Sequence, residues 1–316
     1  MKLYMAPIKG ITNAIFRNAF ANFFSGFDLA VAPFISTVQG KKISRSYLKD
    51  VLPENNTGMP AVPQLMSNHG DDFIYLAGKL FDLGYDTVNW NLGCPFPMVA
   101  KKKRGSGLLP YPEQIDAFLS QVVPQMSGKL SIKCRLGRNQ DDEILNLIPV
   151  FNRYPLKEVI IHPRIGIQMY EGRVNLDRFE ECVNLLKHPI VYNGDITCRT
   201  AFLKLSARFH QIDTWMIGRG ALVNPFLPEI LKNGEGSVLN KINKMQDFHD
   251  RLLEEYKSSM SGPSHVIDKM KGFWYYFSQA FQNTDEVYKK IKKIKSLEKF
   301  EMTVRNVFQH EALLAG

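Results

Sequence analysis

Cys94 is the residue around which chemistry can be built. It lies in the run Asp86-Thr-Val-Asn-Trp-Asn-Leu-Gly-Cys-Pro95, three residues past Asn91, where an alternating apolar stretch ends in a Gly/Pro turn. The basic loop Lys101-Lys102-Lys103-Arg104-Gly-Ser-Gly follows. A free thiol, with a pKa near ~8.5, is mostly protonated at neutral pH yet releases its proton easily. It can therefore serve as nucleophile, redox sensor or acid. Burial as a small hydrophobe is the usual fate of a free cysteine, and it is expected for Cys134, Cys182 and Cys198. Cys94 differs because its turn falls beyond a strand end. No two of the four cysteines form a CxxC pair, so a zinc site is not expected.

The other polar residues worth chemistry recur at the ends of short apolar runs. They are Ala6-Pro7, Gln64, Asn91, Lys133 with Arg135, His162 with Arg164, Asn193-Gly194-Asp195 and Gly218-Arg219-Gly220. The runs that carry them are 3–6, 29–34, 61–66, 87–91, 130–136, 158–162, 190–193 and 214–217, with amphipathic segments such as 71–83 and 112–123 between. Strand–helix alternation of this kind predicts an α/β fold, a (β/α)8 TIM barrel over residues 1–235. An open doubly wound sheet would normally carry GxGxxG after its first strand, and the chain has Ala6-Pro-Ile-Lys-Gly10 there.

Period-two alternation assigns faces. Lys133 and Arg135 share one face, with Ile132, Cys134 and Leu136 opposite; Asn89 and Asn91 oppose Val88 and Trp90. Helices cover the apolar side, so the charges and amides point into the barrel, where they are costly unless they satisfy one another or a ligand. Function in such barrels sits at the C-terminal ends of the strands, and the last two βα turns commonly take a phosphate. Asn193-Gly194 and Gly218-Arg219 occupy those turns.

Past Gly236 the pattern is helical only. Ile242, Met245, Phe248, Leu252 and Tyr256 share one spacing, Val266, Met270, Phe273 and Phe277 a second, and Val287, Ile291 and Ile294 a third. This predicts a small all-helical domain over 236–316, joined by a linker at Gly234-Glu-Gly-Ser237. Its third helix bears Lys289, Lys290, Lys292, Lys293 and Lys295, although 13 Lys/Arg against 10 Asp/Glu leave that segment only modestly basic. The whole chain of 316 residues has a formal charge of +9, which suits an anionic partner. No apolar run approaches the ~18–20 residues that span a membrane, and no signal core precedes Met5-Ala-Pro, so a cytoplasmic protein is expected.

Taken together, these elements resemble the tRNA-dihydrouridine synthases, flavin enzymes that reduce a uridine in tRNA. The resemblance runs through Ala6-Pro7 with Arg17, Gln64-Leu65, Asn91-Leu-Gly-Cys-Pro95, Gly105-x-Gly-Leu-Leu109, Lys133-x-Arg135-Leu-Gly137, His162-x-Arg164, Gln168-x-Tyr170-x-Gly172, Asn193-Gly-Asp-Ile196 and Ile217-Gly-Arg-Gly-Ala221. Asn-x-Gly-Cys-Pro is the most specific element; the helical part matches chiefly through His265 and Lys271. Ile8, Ala32-Pro33, Pro163 and Ile165 depart from the family's usual residues.

The resemblance implies FMN across the barrel mouth, held by Ala6, Pro7, Gln64, Lys133, His162, Asn193, Gly194, Asp195, Gly218 and Arg219. NADPH would reduce the flavin, hydride would pass to C6 of uracil, and Cys94 would supply a proton to C5. Asn91, Arg135 and Arg164 are the expected substrate contacts. Lys101, Arg104, Lys271, Lys290 and Lys293 are expected to grip the RNA backbone, with Lys41, Lys42 and Arg45 on the same rim. A metal-free, monomeric enzyme is expected. A flavin barrel reducing a small pyrimidine would need neither the basic rim nor the helical domain, and an RNA-binding protein that had lost catalysis would not need the thiol.

Overall fold

The computed structural model describes residues 1–38, 43–235 and 240–314. Ten strand segments form one parallel sheet. They are β1 Lys2–Met5, β2 Leu29–Val31, β3 Ile35–Ser36, β4 Ala61–Val62, β5 Gln64–Met66, β6 Thr87–Leu92, β7 Lys129–Gly137, β8 Val159–Ile165, β9 Ile190–Asn193 and β10 Thr214–Ile217. Each expected strand is present. Two are split, at Pro33 between β2 and β3 and at Pro63 between β4 and β5, because proline has no N–H to give its neighbour. β2 pairs with β4, β3 with β5, and β1 with both β10 and β2, so the ring closes into a barrel.

Among the described residues, nine α-helices lie between and after the strands: α1 Ala14–Phe23, α2 Gly70–Asp82, α3 Pro97–Ala100, α4 Pro112–Val122, α5 Glu143–Phe151, α6 Leu176–Leu185, α7 Arg199–Arg208, α8 Arg219–Val223 and α9 Leu227–Asn233. Their starts carry the expected signals. Asn13 and Asn175 accept from Phe16 N and Arg178 N as N-caps, and Pro112 opens α4. Trp90 confirms the faces read from alternation: it points outward and stacks on Phe118 of α4 at 4.0 Å.

Four further helices follow, α10 Lys241–Ser259, α11 Pro263–Phe277, α12 Thr284–Lys292 and α13 Leu297–His310. The periodicity anticipated the first three; α13, with Ser296 as its N-cap, was not foreseen. Their apolar faces share one core with α1. Phe248 of α10 lies 5.7 Å from Phe16, 6.2 Å from Phe20 and 5.0 Å from Phe24, ring to ring. Tyr256 Oη donates to Asn13 Oδ1 at 2.9 Å, and Lys269 Nζ donates to Gly10 O at 2.7 Å. Both ties reach the loop after β1. The proposed linker residues Gly236 and Ser237, like Lys41 and Lys42, lie outside the described residues. No helix among the described residues is long and apolar enough to cross a membrane.

Arg17 fixes that same loop. Its buried guanidinium donates to Thr12 O at 2.7 Å, to Asp50 O at 2.5 Å and Oδ2 at 3.3 Å, and to Asn56 Oδ1 at 3.1 and 2.6 Å. Thr12 Oγ1 in turn accepts from Ile8 N and donates to Ala6 O. One buried cation thus shapes the first wall of the barrel mouth. Arg17→Met strands the carboxylate, two backbone carbonyls and the Asn56 amide oxygen, and is expected to cost about 2–4 kcal/mol in denaturant unfolding, reduced from a fully buried pair because Asp50 is partly exposed. An unchanged unfolding midpoint would contradict this.

Candidate active site at the barrel mouth

The C-terminal strand ends converge on one cavity. Of the residues expected from sequence, Ala6, Pro7, Gln64, Asn91, Cys94, Lys133, Arg135, His162, Asn193, Gly194, Asp195, Gly218 and Arg219 line it. Lys9, Phe34, Phe96, Tyr170 and Tyr276 complete its rim and were not expected there. Phe34 falls within the expected run 29–34, and Lys9 and Phe96 each stand four residues past a strand end, so position could have found these three. Tyr276 is brought in by α11 and had no local signal.

The thiol turn is held from several sides. Asn91 Oδ1 accepts from Gly93 N at 3.1 Å and Cys94 N at 2.9 Å, while its Nδ2 donates to Gln64 Oε1 at 2.7 Å. Gln64 Nε2 donates to Asn89 Oδ1, and Asn89 Nδ2 to Ser131 Oγ, each at 2.8 Å. The buried amides thus satisfy one another across three neighbouring strands. Arg135 Nε donates to Gly93 O at 3.0 Å, Ser106 Oγ to Cys94 O at 3.0 Å, and Arg138 to Pro95 O at 2.8 Å. Gly105, at φ +57°, packs so closely that a Cβ would lie 2.8 Å from Cys94 Cβ. Cys94 is 7% exposed. Burial pushes its thiol pKa up, against the lowering pull of Phe96 N–H, Arg135, Lys9 and Arg138.

Cations dominate the charged part of the lining. Lys9, Lys133, Arg135 and Arg219 line the cavity, and among the described residues Asp195 is the one carboxylate in its lining. Lys133 Nζ has no hydrogen-bonding or ionic partner among the described residues. Burial, then repulsion from Arg135, brings its pKa down to about 7. Burial and four nearby cations hold His162 well below its ordinary value, so it is neutral. Arg164 donates to His162 Nε2 at 3.0 Å, which leaves the ring proton on Nδ1.

Arg164 itself is 3% exposed and stands behind the lining. It grips Asp195 at 2.9 and 2.7 Å, and donates to Gly172 O at 2.7 Å and Glu171 O at 3.2 Å. With His162 these contacts occupy all five of its donors, so in this arrangement none remains for a base. Asp195, at φ 42°, also meets Arg219 at 3.2 Å. Tyr170 lies between two guanidinium groups, 5.2 Å from Arg135 and 5.1 Å from Arg219.

The expected backbone-gripping residues lie outside the cavity. Lys101 is exposed beside α3; Arg104 Nε donates to Asn68 Oδ1 at 3.0 Å. Lys271 is half-buried on α11, 4.0 Å from Asp268. Lys290 is paired with Glu311 at 3.0 Å, which neutralises part of the lysine face, whereas Lys293 is exposed. Arg45 pairs with Glu54. The departures have local effects: Pro33 lines the cavity, and the Ile165 N–H is not available to a ligand because it donates to Gln168 Oε1 at 2.8 Å.

The family model "Dihydrouridine synthase (Dus)" matches residues 4–313. A tRNA-dihydrouridine synthase B of Pasteurella multocida is 29% identical over 73% of this chain and 69% of its own length. A tRNA-dihydrouridine(16) synthase of Haemophilus influenzae is 25% identical over 96% and 98%. Among solved structures, a histamine dehydrogenase from Rhizobium superposes with a TM-score of 0.54 at 11% identity, over 78% of this chain and 46% of that one. A morphinone reductase does so with 0.51 at 12% identity, over 78% and 90%. These two likenesses concern the barrel fold alone. The match to the family model covers nearly the whole chain, whose thiol turn and polar strand ends meet at one mouth: the chain belongs to the dihydrouridine synthase family.

Proposed function

We propose that the protein reduces a uridine of tRNA to dihydrouridine, with FMN as its resident cofactor and NADPH as reductant. The observation that carries this reading is the pairing, in one cavity, of a protonated thiol with an unpartnered lysine. A lysine with a depressed pKa and no counter-ion favours an anionic ligand. The cation excess around it fits a phosphate-bearing flavin, as do the glycine turns at Gly194 and Gly218. When bound, FMN supplies hydride chemistry.

The chain's own residues then have defined parts. Lys133 offers charge to a flavin that becomes anionic on reduction. Gln64 retains hydrogen-bonding capacity beyond its Asn89 and Asn91 contacts. His162 presents Nδ1–H, with Arg164 and Asp195 behind it fixing the tautomer, so Arg164 acts through His162. Arg219 sits beside the turns proposed for the phosphate. Arg135 has donors left after Gly93 and Ile165 O, and is the better placed of the two arginines to meet the uracil edge. Asn91 holds Cys94 and has one amide hydrogen spare.

Cys94 gives the proton to C5 of the ring. A nucleophilic cysteine is normally acidified; this one is pushed the other way, which suits a proton donor. The thiolate left behind faces Phe96 N–H, Arg135, Lys9 and Arg138, and regains its proton from solvent through the open mouth. The substrate must leave its stack, at a cost of a few kcal/mol, least from a loop. The Haemophilus relative, matched end to end, is named for position 16, so uridine 16 is the first position to map. Lys101, Arg104, Lys271 and Lys293 would meet phosphates outside the cavity, supporting affinity and not base identity. The helices from Lys241 on would form the tRNA-binding domain, with the barrel to residue 235 as the catalytic one.

Two experiments test this. Purified protein reconstituted with FMN and NADPH is expected to form dihydrouridine in uridine-bearing tRNA. Cys94→Ala should keep the flavin spectrum and lose at least ~100-fold in turnover, the scale of a positioned acid. Failure to bind FMN, or near-normal turnover of Cys94→Ala, would refute the assignment. The second concerns Lys133. In flavin-free protein its charged form is disfavoured relative to the unfolded chain, whose lysine titrates near ~10.4. The penalty is full below about pH 7 and fades as pH rises toward ~10.4, because the native side chain is by then neutral and the unfolded one is losing its proton. Lys133→Met should therefore melt higher than wild type at pH 6.5, with the gap closing by pH ~10. A gap that does not change with pH would contradict it.

A further inference from the structure

Among the described residues, Tyr276 is the one that the C-terminal helices contribute to the cavity lining. Its phenol lies close to Tyr170 and Arg219; burial, then Tyr170, raises its pKa. From Tyr276 an aromatic run leads away from the mouth. Tyr275 stands edge-on to it at 5.0 Å, and Tyr288 of α12 stands edge-on to Tyr275 at 5.6 Å. Lys292 Nζ lies 5.5 Å from the Tyr288 ring centre. Tyr275 is 54% exposed and belongs to a cluster of adjoining rings, so its face is open to a ligand. Lys271 is one turn before it on α11, on the same face. The acids of α12, Asp285 and Glu286, lie in its first turn, away from Lys292 at its end.

Resting on the tRNA reading above, we infer that Tyr275 and Tyr288 form a stacking platform for an unpaired nucleobase next to the uridine held in the cavity. The run is continuous with the cavity through Tyr276, so a strand that puts one nucleotide into the mouth and leaves on this side passes its neighbour over these rings. Every base has a π-face that an exposed ring can take, without regard to its identity. Lys292 and Lys271 flank the rings with positive charge for the adjoining phosphates. A protein partner would gain little from rings set edge-on in a cationic border, whereas an unpaired base and its phosphate match both.

The test uses FMN-loaded enzyme and a tRNA carrying 2-aminopurine at the positions flanking the target uridine. Wild type is expected to quench the fluorescence at one flank on binding. Tyr275→Ala should lose that quenching and bind about tenfold more weakly, the scale of one lost base stack. Tyr275→Phe should restore both, since the ring and not the hydroxyl does the stacking. Tyr288→Ala, checked by thermal melting, gives an independent second variant with a smaller loss in the same direction. Unchanged affinity and quenching in Tyr275→Ala, or a Phe variant no better than Ala, would overturn the platform even if wild type turns over normally. Wild type that neither binds nor reduces tRNA would overturn the underlying function instead.

Discussion

The side chain of Asn91 accepts two backbone hydrogen bonds, from Gly93 and Cys94, while its nitrogen reaches back to Gln64. That arrangement turns the chain sharply at the end of β6 and leaves the thiol facing the cavity. It works only because the barrel interior supplies a continuous amide network, from Ser131 through Asn89 and Gln64, that leaves no buried amide oxygen without a donor. The loop that follows then closes over the turn. Ser106 and Arg138 hold its carbonyls, and Gly105 is required because no side chain fits between it and Cys94.

A second constraint follows from placing that thiol among several cations. Burial first, and then a neighbouring guanidinium, lowers Lys133 to about 7 and Arg135 to about 10, so holding these charges at the mouth is costly. Asp195 relieves part of the repulsion by gripping Arg164 and Arg219. An anionic ligand would relieve the rest. The same cations would steady a thiolate once formed, while burial keeps the resting thiol protonated. The site thus combines a reluctant acid with a ready sink for its negative charge.

Much of this was legible in the chain. Alternation in 87–91 and 130–136 assigned the barrel's inner and outer faces, and Trp90 against Phe118 agrees. The strand ends named thirteen of the cavity's residues because a closed parallel barrel brings all its C-terminal ends to one rim. What pattern could not supply was hydrogen-bond partnership. Arg164 reads from sequence as a free fork beside His162; the left-handed turn at Asp195 and the carbonyls of 171–172 absorb its donors. Tyr276 was equally invisible, since its place depends on how α10 and α11 dock on α1 through Phe248, a long-range packing with no local signature. The lysine face of α12 looked uniform until Glu311, brought close by α13, neutralised Lys290.

The central claim is that Cys94 is an acid and not a nucleophile, and the pH dependence of its alkylation tests it most directly. In flavin-free protein with the exposed Cys198 changed to Ser, the rate of iodoacetamide modification at Cys94 should rise with pH through an inflection above the ordinary thiol value of about 8.5. An inflection below that value would identify a stabilised thiolate and contradict the account.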